Sequence, residues 1–437
     1  MNVVLLSGGS GKRLWPLSND IRAKQFIKIF EGVDSYESML QRTLRQIFKI
    51  PAQVSVTVST AKTQENILRK YLPADADIST EPCRRNTFPA IALTAAYLRD
   101  VKKISADEPI IICPVDPYVD DDFFAQFKTL SELVKTSAAN LILLGINPTY
   151  PSEKYGYIIP ASKDKVSDVS EFKEKPDIVT AQKYIERGGL WNGGVFACKI
   201  SYVLEKAQEI LKTDSYDELL KNYSELPNIS FDYAVVEKES DIKVVRYVGE
   251  WKDVGTWNTL TEVMTEKNIG KVYFDNTCQN SHVVNETDMP IIAMGLKNIV
   301  VAASPDGILV ADKNQSSYMK PLAEKITEPI HFAEKSWGDF QIIDVGEDNL
   351  TIKVTLNAGH QMHYHSHERR NEIWTVVEGI GRVNLDGEIK TVNVGDVIKI
   401  PIGVKHTIFA ETDLKVIEVQ IGKDISVEDK ILWRELI

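Results

Sequence analysis

The chain opens on Val3-Val4-Leu5-Leu6 and passes directly into Ser7-Gly8-Gly9-Ser10-Gly11-Lys12-Arg13. A short apolar run bounded by a turn reads as a buried strand. The glycines after it let the backbone turn tightly and approach a ligand, because no Cβ intervenes. A glycine-rich turn leaving a strand, with free N–H groups and with cations at Arg13 and Lys24, suits phosphates. The same spelling also serves a βα turn that binds nothing. Two common phosphate loops are excluded. A Walker A loop needs Gly at Leu6 and Ser or Thr at Arg13, and the dinucleotide fingerprint needs a small residue at Leu14.

Beyond this loop the pattern predicts an α/β fold. Apolar runs at 54–58, 110–113, 141–144, 195–198 and 242–247 alternate with amphipathic stretches at 36–48, 61–71, 88–101, 123–136, 178–187 and 202–211. Such alternation predicts a mostly parallel sheet with helices on both faces. Ligands of these sheets sit at the carboxyl ends of the strands, where the Gly8–Arg13 turn lies. At 437 residues the chain is too long for one core, so two or three domains are expected. A net charge of -11 argues against a nucleic-acid binder. The four cysteines lack metal spacing, which predicts reduced, cytoplasmic thiols. No signal peptide or bilayer-spanning run is read, so no membrane partner is expected.

Several polar stretches punctuate this pattern. Cys113-Pro114-Val115-Asp116 ends a strand on a carboxylate, a place suited to Mg²⁺, which takes one or two carboxylates plus phosphate oxygens. A turn-forming Asp before Pro117 is the alternative. Arg84-Arg85-Asn86-Thr87 precedes a helix that Asn86 can cap. Glu174-Lys175-Pro176 fits a solvated strand end as well as a ligand grip. Asn192 offers both a donor and an acceptor, which suits a sugar diol. Asp253, in Trp251-Lys252-Asp253-Val254-Gly255, fits an N-cap.

Five of the seven histidines fall between His360 and His406, so the C-terminal quarter carries its own chemistry. From about residue 330 the pattern is all-β. Gly359, His365, His367, Glu372 and Gly379, then Gly395, Pro401, Gly403 and His406, stand at the spacings of the two cupin motifs. Three imidazoles and a carboxylate suit a first-row divalent metal such as Zn²⁺. An empty, purely structural barrel remains the alternative. The stretch 269–329 reads as short strands without helices.

Taken together, Gly8-Gly9-Ser10-Gly11-Lys12-Arg13-Leu14-Trp15-Pro16-Leu17, Ala23-Lys24-Gln25-Phe26, Glu81-Pro82-Cys83-Arg84-Arg85-Asn86-Thr87, Phe172-Lys173-Glu174-Lys175-Pro176, Trp191-Asn192-Gly193-Gly194 and Trp251-Lys252-Asp253 resemble the mannose-1-phosphate guanylyltransferases. More closely, the order of segments resembles the bifunctional type with a mannose-6-phosphate isomerase cupin. Departures are Ala23 for Pro, Arg84 for Gly, Pro117 for His and Gly193 for Ser. The cupin also lacks the usual Arg just after its histidines, with Arg369 and Arg370 close by, and has Thr407 after His406.

The resemblance implies a Rossmann-like (GT-A-like) mixed sheet over 1–268, a β-rich link over 269–329 that serves subunit contact, and a cupin over 330–437. It implies GTP and a sugar-1-phosphate as substrates and a homodimer as the assembly. Leu6, Gly8, Gly9, Gly11, Arg13, Lys24, Arg85 and Asn86 would hold the nucleotide, with Arg13 and Lys24 on its triphosphate. Asp116 and Asp253 would hold Mg²⁺, and Gly156, Glu174, Lys175 and Asn192 the sugar phosphate. His365, His367, Glu372 and His406 would hold the cupin metal.

Overall fold

The structure is a computed structural model that describes residues 1–9, 12–19, 21–33, 35–72, 76–425 and 429–433, with Lys12 described by its backbone alone. Gly11, expected in the phosphate loop, lies outside the described residues. Two compact units emerge. One comprises Met1–Arg13, Ala23–Glu65 and Tyr71–Glu266, the other Leu14–Arg22, Asn66–Lys70 and Lys267–Ile437.

In the first unit, nine strands make one sheet. They are β1 (Asn2–Leu6), β2 (Ser55–Ala61), β3 (Asp77–Glu81), β4 (Pro109–Pro114), β5 (Leu141–Ile146), β6 (Tyr157–Pro160), β7 (Val166–Lys173), β8 (Leu190–Lys199) and β9 (Ile242–Tyr247), in the order β3-β2-β1-β4-β8-β5-β9-β7-β6. The block β3-β2-β1-β4 is parallel, as the alternation predicts. The sheet as a whole is mixed, because β8 runs antiparallel between β4 and β5, and β7 antiparallel beside β9. Seven of the nine strands run one way, as expected of a mostly parallel sheet, and β7 and β8 run against them, which makes it the mixed sheet the resemblance implies. The predicted helix at 36–48 begins only at Met39, after a short strand Tyr36–Ser38, with Ser38 and Gln41 closing a capping box. Helix α1 (Thr87–Asp100) buries Phe88, Ile91, Ala92, Ala95 and Ala96 in the main core and is capped by Asn86.

Strand register places the chemistry. In the parallel pair β1–β4, Leu6 lies opposite Pro114, so the glycine turn after β1 and Asp116 after β4 leave the same sheet edge side by side. The ribbon Trp251–Asp253 pairs antiparallel with Pro117–Val119, setting Asp253 opposite Pro117 and hence next to Asp116.

The second unit begins its long segment with a short stack of parallel strands, Asn268–Ile269, His282–Asn285 and Ile299–Ser304, closed by antiparallel Gly307–Asp312. A helix-free stretch is corrected by a short 3-10 helix, Gln315–Tyr318, and a short α-helix, Lys320–Ala323. The segment after the loop arginine is anchored here: Ser304 Oγ donates to Pro16 O at 2.7 Å, and Arg22 Nη1 pairs with Glu286 at 2.6 Å. The Pro16 carbonyl and Arg22 are thus both held by residues of this unit. The C-terminal barrel faces a six-stranded antiparallel sheet against a five-stranded one around Val354, Trp374, Val383, Ile408 and Val416.

Candidate active site and histidine cluster

The loop after β1 is braced by side chains from three segments. Gln25 Nε2 donates to Ser7 O at 3.0 Å, Thr60 Oγ1 donates to the same oxygen at 3.2 Å, and Gln64 Nε2 donates to Gly9 O at 3.1 Å. These bonds hold a strand end that would otherwise fray. Gly8 is required by close approach, since a Cβ there would lie 2.8 Å from Glu81 Oε1. At Gly9 a Cβ would meet no atom of the described residues within 4 Å. Leu6, half-buried, ends β1 below the loop.

Lys24, next to the bracing Gln25, forms an ion pair with Asp116 Oδ2 at 2.7 Å. Burial opposes charge on both groups. The attraction wins on both sides: Lys24 is held above the usual lysine range by Asp116 and Asp253, and Asp116 below the usual carboxylate range by Lys24. Asp116 is walled in by protein yet keeps 38% of its side-chain surface, because its carboxylate opens onto a cleft. Arg13 is exposed, and its charge is felt at Lys24. Arg13, Lys24, Asp116 and Asp253 thus converge at one sheet edge.

That cleft, about 220 Å³, is lined by Asp116, Asp253, Gly156, Glu174, Lys175 and Asn192 of the expected residues, and by Tyr155, Asp232 and Trp251. Gly156 admits no side chain, because one would collide with Glu174 Oε2 and crowd Asn192. Lys175, at φ 46, turns its ammonium back onto Glu174 Oε1 at 2.5 Å. Asn192 Nδ2 donates to Asp232 Oδ1 at 2.6 Å. Two buried polar atoms have no partner among the described residues: Glu174 Oε2, an acceptor, and Trp251 Nε1, a donor. Unsatisfied groups of this kind cost free energy until something binds.

Three residues of this region received no role of their own in the sequence reading. Asp232 is enclosed in the cleft, and burial, with the nearby Glu174 charge, pushes its carboxyl up to about 6. Its neighbour Ser230 caps a helix, so the stretch reads locally as capping. Glu81 ends β3, accepts from Tyr223 Oη at 2.8 Å and is pushed up by burial. Trp251 stacks edge-on against Tyr155 at 5.4 Å, part of an aromatic wall with Trp191. Arg85 keeps a buried Nε without a partner among the described residues, and Asn86 spends its Oδ1 on Thr87 N at 2.9 Å. Neither lines the cleft.

In the barrel, His365 lies directly opposite His406 in the ladder, and His367 is two residues along. The ligating nitrogens of the three rings lie within 4.8 Å of one another, all buried. Each Nδ1 faces a backbone carbonyl: His363 O at 2.6 Å, Asp429 O at 3.0 Å and Val404 O at 2.8 Å. Those carbonyls favour the Nδ1–H tautomer, which leaves Nε2 as the ligating atom, although His367 Nε2 already lies 3.1 Å from Arg370 Nη2. His406 Nε2 has no hydrogen-bond partner among the described residues. The triad therefore fits a divalent metal. Glu372 borders it, 3.0 Å from His367 Nε2 and 3.4 Å from His406 Nε2, but its oxygens are engaged by Arg370 Nε and Trp374 Nε1, each at 3.0 Å. The expected fourth ligand thus stands beside the triad and also neutralises Arg370.

A family model described as nucleotidyl transferase matches residues 2–268, and one described as mannose-6-phosphate isomerase C-terminal matches residues 324–435. A curated relative named mannose-1-phosphate guanylyltransferase, from Salmonella montevideo, is 30% identical over 99% of this chain and 98% of its own. The xanthan biosynthesis protein XanB of Xanthomonas campestris pv. campestris is 29% identical over 99% of this chain and 98% of its own. Among solved structures, one described as a mannose-1-phosphate geranyltransferase from Thermus thermophilus aligns with a TM-score of 0.63 and 29% identity, over 74% of this chain and 98% of that one. No helix among the described residues is long and apolar enough to cross a membrane. The chain belongs to the nucleotidyl transferase family, in the mannose-1-phosphate guanylyltransferase branch whose members continue into a mannose-6-phosphate isomerase C-terminal domain.

Proposed function

We propose that the chain joins GTP to mannose-1-phosphate, giving GDP-mannose and pyrophosphate for polysaccharide or glycoconjugate synthesis in the cytoplasm. The observation that carries this reading is the cleft itself. It brings two carboxylates, Asp116 and Asp253, into one lining with unpartnered hydroxyl-binding atoms, Glu174 Oε2 and Trp251 Nε1. A phosphate oxygen of the sugar phosphate attacks the α-phosphorus in line, so the protein has to position two anions and neutralise their charge. Arg13 and the braced glycine turn take the triphosphate. Lys24 shifts from Asp116 toward phosphate as substrate enters, and Lys175 leaves Glu174 for the sugar phosphate. Asp116 and Asp253 would hold Mg²⁺, which would supply positive charge to offset that of the phosphates.

Base choice falls to Glu81, which flanks the glycine turn. Its carboxylate accepts hydrogen bonds only, and guanine offers an N1–H and an amino group where adenine lacks that pair. The test is pyrophosphate release from a grid of nucleoside triphosphates against sugar-1-phosphates. GTP with mannose-1-phosphate is expected to lead, and Glu81→Gln to lose about tenfold of the GTP-over-ATP preference, the value of one good hydrogen bond. A grid led by another pair, or one insensitive to Glu81, overturns the assignment.

Asp232 gives a pH signature. Its folded-state pKa of about 6 exceeds the ordinary 3.8, so folding favours the protonated form. The stability cost is absent below pH 4, grows as pH rises to 6, and is constant above. Asp232→Asn is therefore expected to stabilise the protein at pH 7.5 by on the order of 2 kcal/mol, to bring no gain at pH 4, and to raise the KM for mannose-1-phosphate. Urea melts at both pH values check this, and equal gains at each would refute it.

The clamped triad favours a second reading, that the barrel interconverts mannose-6-phosphate and fructose-6-phosphate. His365, His367 and His406 would hold a divalent ion such as Zn²⁺, which polarises a substrate carbonyl when bound. The full chain is expected to convert mannose-6-phosphate when loaded with metal and to stop when His365→Ala removes a ligand. No conversion with any first-row divalent ion leaves a structural barrel.

A further inference from the structure

The two cations given to the triphosphate, Arg13 and Lys24, belong to the first compact unit, yet the chain between them does not. Leu14–Arg22 is built into the second unit, and only Ala23 separates it from Lys24. The segment is fastened along its length. Trp15 packs so closely on Gly307 that a Cβ there would stand 2.6 Å from Trp15 Cζ2. Pro16 O accepts from Ser304 Oγ. Asn19 Nδ2 donates to Asp306 Oδ2 at 2.7 Å and to Phe332 O at 3.2 Å. Asn19 Oδ1 accepts from the N–H groups of Ile21 and Arg22, at 2.9 and 2.6 Å.

Arg22 closes the segment. Its side chain is 7% exposed and forks onto Glu286, Nη1 to Oε2 at 2.6 Å and Nη2 to Oε1 at 3.0 Å. Nη1 also reaches Leu17 O at 3.4 Å, back in its own segment, and Nε lies 3.5 Å from Glu334 Oε2. Glu334 stands on the first strand of the barrel sheet, Phe332–Lys335, and also pairs with Lys70 at 3.1 Å. A two-point guanidinium–carboxylate pair fixes orientation as well as distance. Holding Arg22 in this way restricts where the chain continues into Ala23 and Lys24.

We infer that Arg22 is a positioning residue for nucleotide binding: clamped by Glu286 and Glu334, it sets where Lys24 stands to receive the phosphates. The task of Lys24 rests on the transferase reading, whereas the clamp on Arg22 does not. A cation already in place binds a triphosphate without first being ordered, and misplacing one by about 1 Å costs up to about 10²-fold. Lys175, the cation given to the sugar phosphate, follows the strand Val166–Lys173 in another part of the chain. The effect therefore falls on one substrate and not on the other.

The test is steady-state pyrophosphate release by the full chain, with GTP and mannose-1-phosphate varied in turn. Arg22→Leu is expected to raise the KM for GTP about tenfold or more and to leave that for mannose-1-phosphate within about twofold. Glu286→Gln, which keeps the shape and drops the charge, is expected to raise the GTP KM about threefold, and Arg22→Lys to recover part of what Arg22→Leu loses. A merely structural loss would leave less active enzyme, which lowers kcat and leaves both KM values alone. That outcome, an equal rise in both KM values, or a GTP KM at the wild-type value overturns the inference. Should Arg22→Leu not fold, Glu286→Gln decides. If another triphosphate leads the grid, its KM is read instead, because Lys24 meets phosphate and not the base. If wild type turns over none, the transferase reading falls and amide exchange decides the clamp. Phe26 and Ile27 donate to Ala23 O and Lys24 O, and their N–H groups should exchange at least about tenfold faster in Arg22→Leu. Unchanged exchange there overturns the inference as well.

Discussion

Asp116→Asn removes about 10²–10³-fold of the rate of pyrophosphate release while leaving the fold in place, the usual value of one preorganised charge at a reacting centre. The carboxylate sits where β4 ends beside the glycine turn, and it pairs with Lys24 at 2.7 Å. Neutralising it frees Lys24, which still feels Asp253. The residual attraction explains why stability should change little. Two effects then add on the rate. One of the two carboxylates available to Mg²⁺ is lost, and Lys24 is drawn toward Asp253 instead of waiting between carboxylate and phosphate. Asp253→Asn should fall to a similar level. The double variant should be little worse than either single one, because groups that act on one charge cluster are not additive. Steady-state pyrophosphate release, with circular dichroism and a thermal melt on the same samples, decides the matter. A rate within about threefold of wild type for Asp116→Asn would remove Asp116 from the machinery.

The parts of this site that were legible in the sequence are those where local spelling and chemistry coincide. The turn after Leu6 and the carboxylate after Pro114 could be read because each follows an apolar run, and parallel pairing of those two runs brings them together. The opposition of Asp253 to Pro117 was not legible. It depends on a three-residue ribbon whose strands, Trp251–Asp253 and Pro117–Val119, are too short to leave a periodic pattern. β7 was missed because Val-Ser-Asp-Val-Ser-Glu-Phe-Lys is half-exposed near the sheet edge and carries no apolar run. β8 was found but its direction was not, since direction is settled by tertiary pairing rather than by composition. Glu81 and Asp232 look in sequence like a strand end before proline and a capped turn. Only burial beside the glycine loop and beside Asn192 gives them chemistry. In the barrel the motif spacing placed the histidines correctly relative to one another. It could not tell a carboxylate that ligates from one that neutralises an arginine.

That distinction has a measurable consequence at Glu372, where the second large effect is expected. The side chain is 1% exposed and gathers Arg370 Nε, Trp374 Nε1 and the edges of His367 and His406. Arg370, itself 7% exposed, also reaches Asp429 at 3.5 Å and His367 Nε2 at 3.1 Å. Glu372→Ala takes from that buried guanidinium the carboxylate at 3.0 Å and strips the indole N–H of its acceptor. Removing one partner of a buried pair costs about 3–5 kcal/mol. For a region of this size that lowers the melting temperature of the barrel by roughly 10–20 °C. A carboxylate whose main task was metal ligation would behave differently, since its loss would scarcely matter to metal-free protein. Hydrogen exchange in the strand Arg370–Glu378, measured on protein stripped with a chelator, separates the two roles. Protection in Glu372→Ala should fall by two or more orders of magnitude even without metal, on the order of the pair's own free energy. Glu372→Gln, which keeps an acceptor for Trp374 and Arg370, should recover a large part of it. Wild-type protection in the chelated alanine variant would instead return Glu372 to the ligand set.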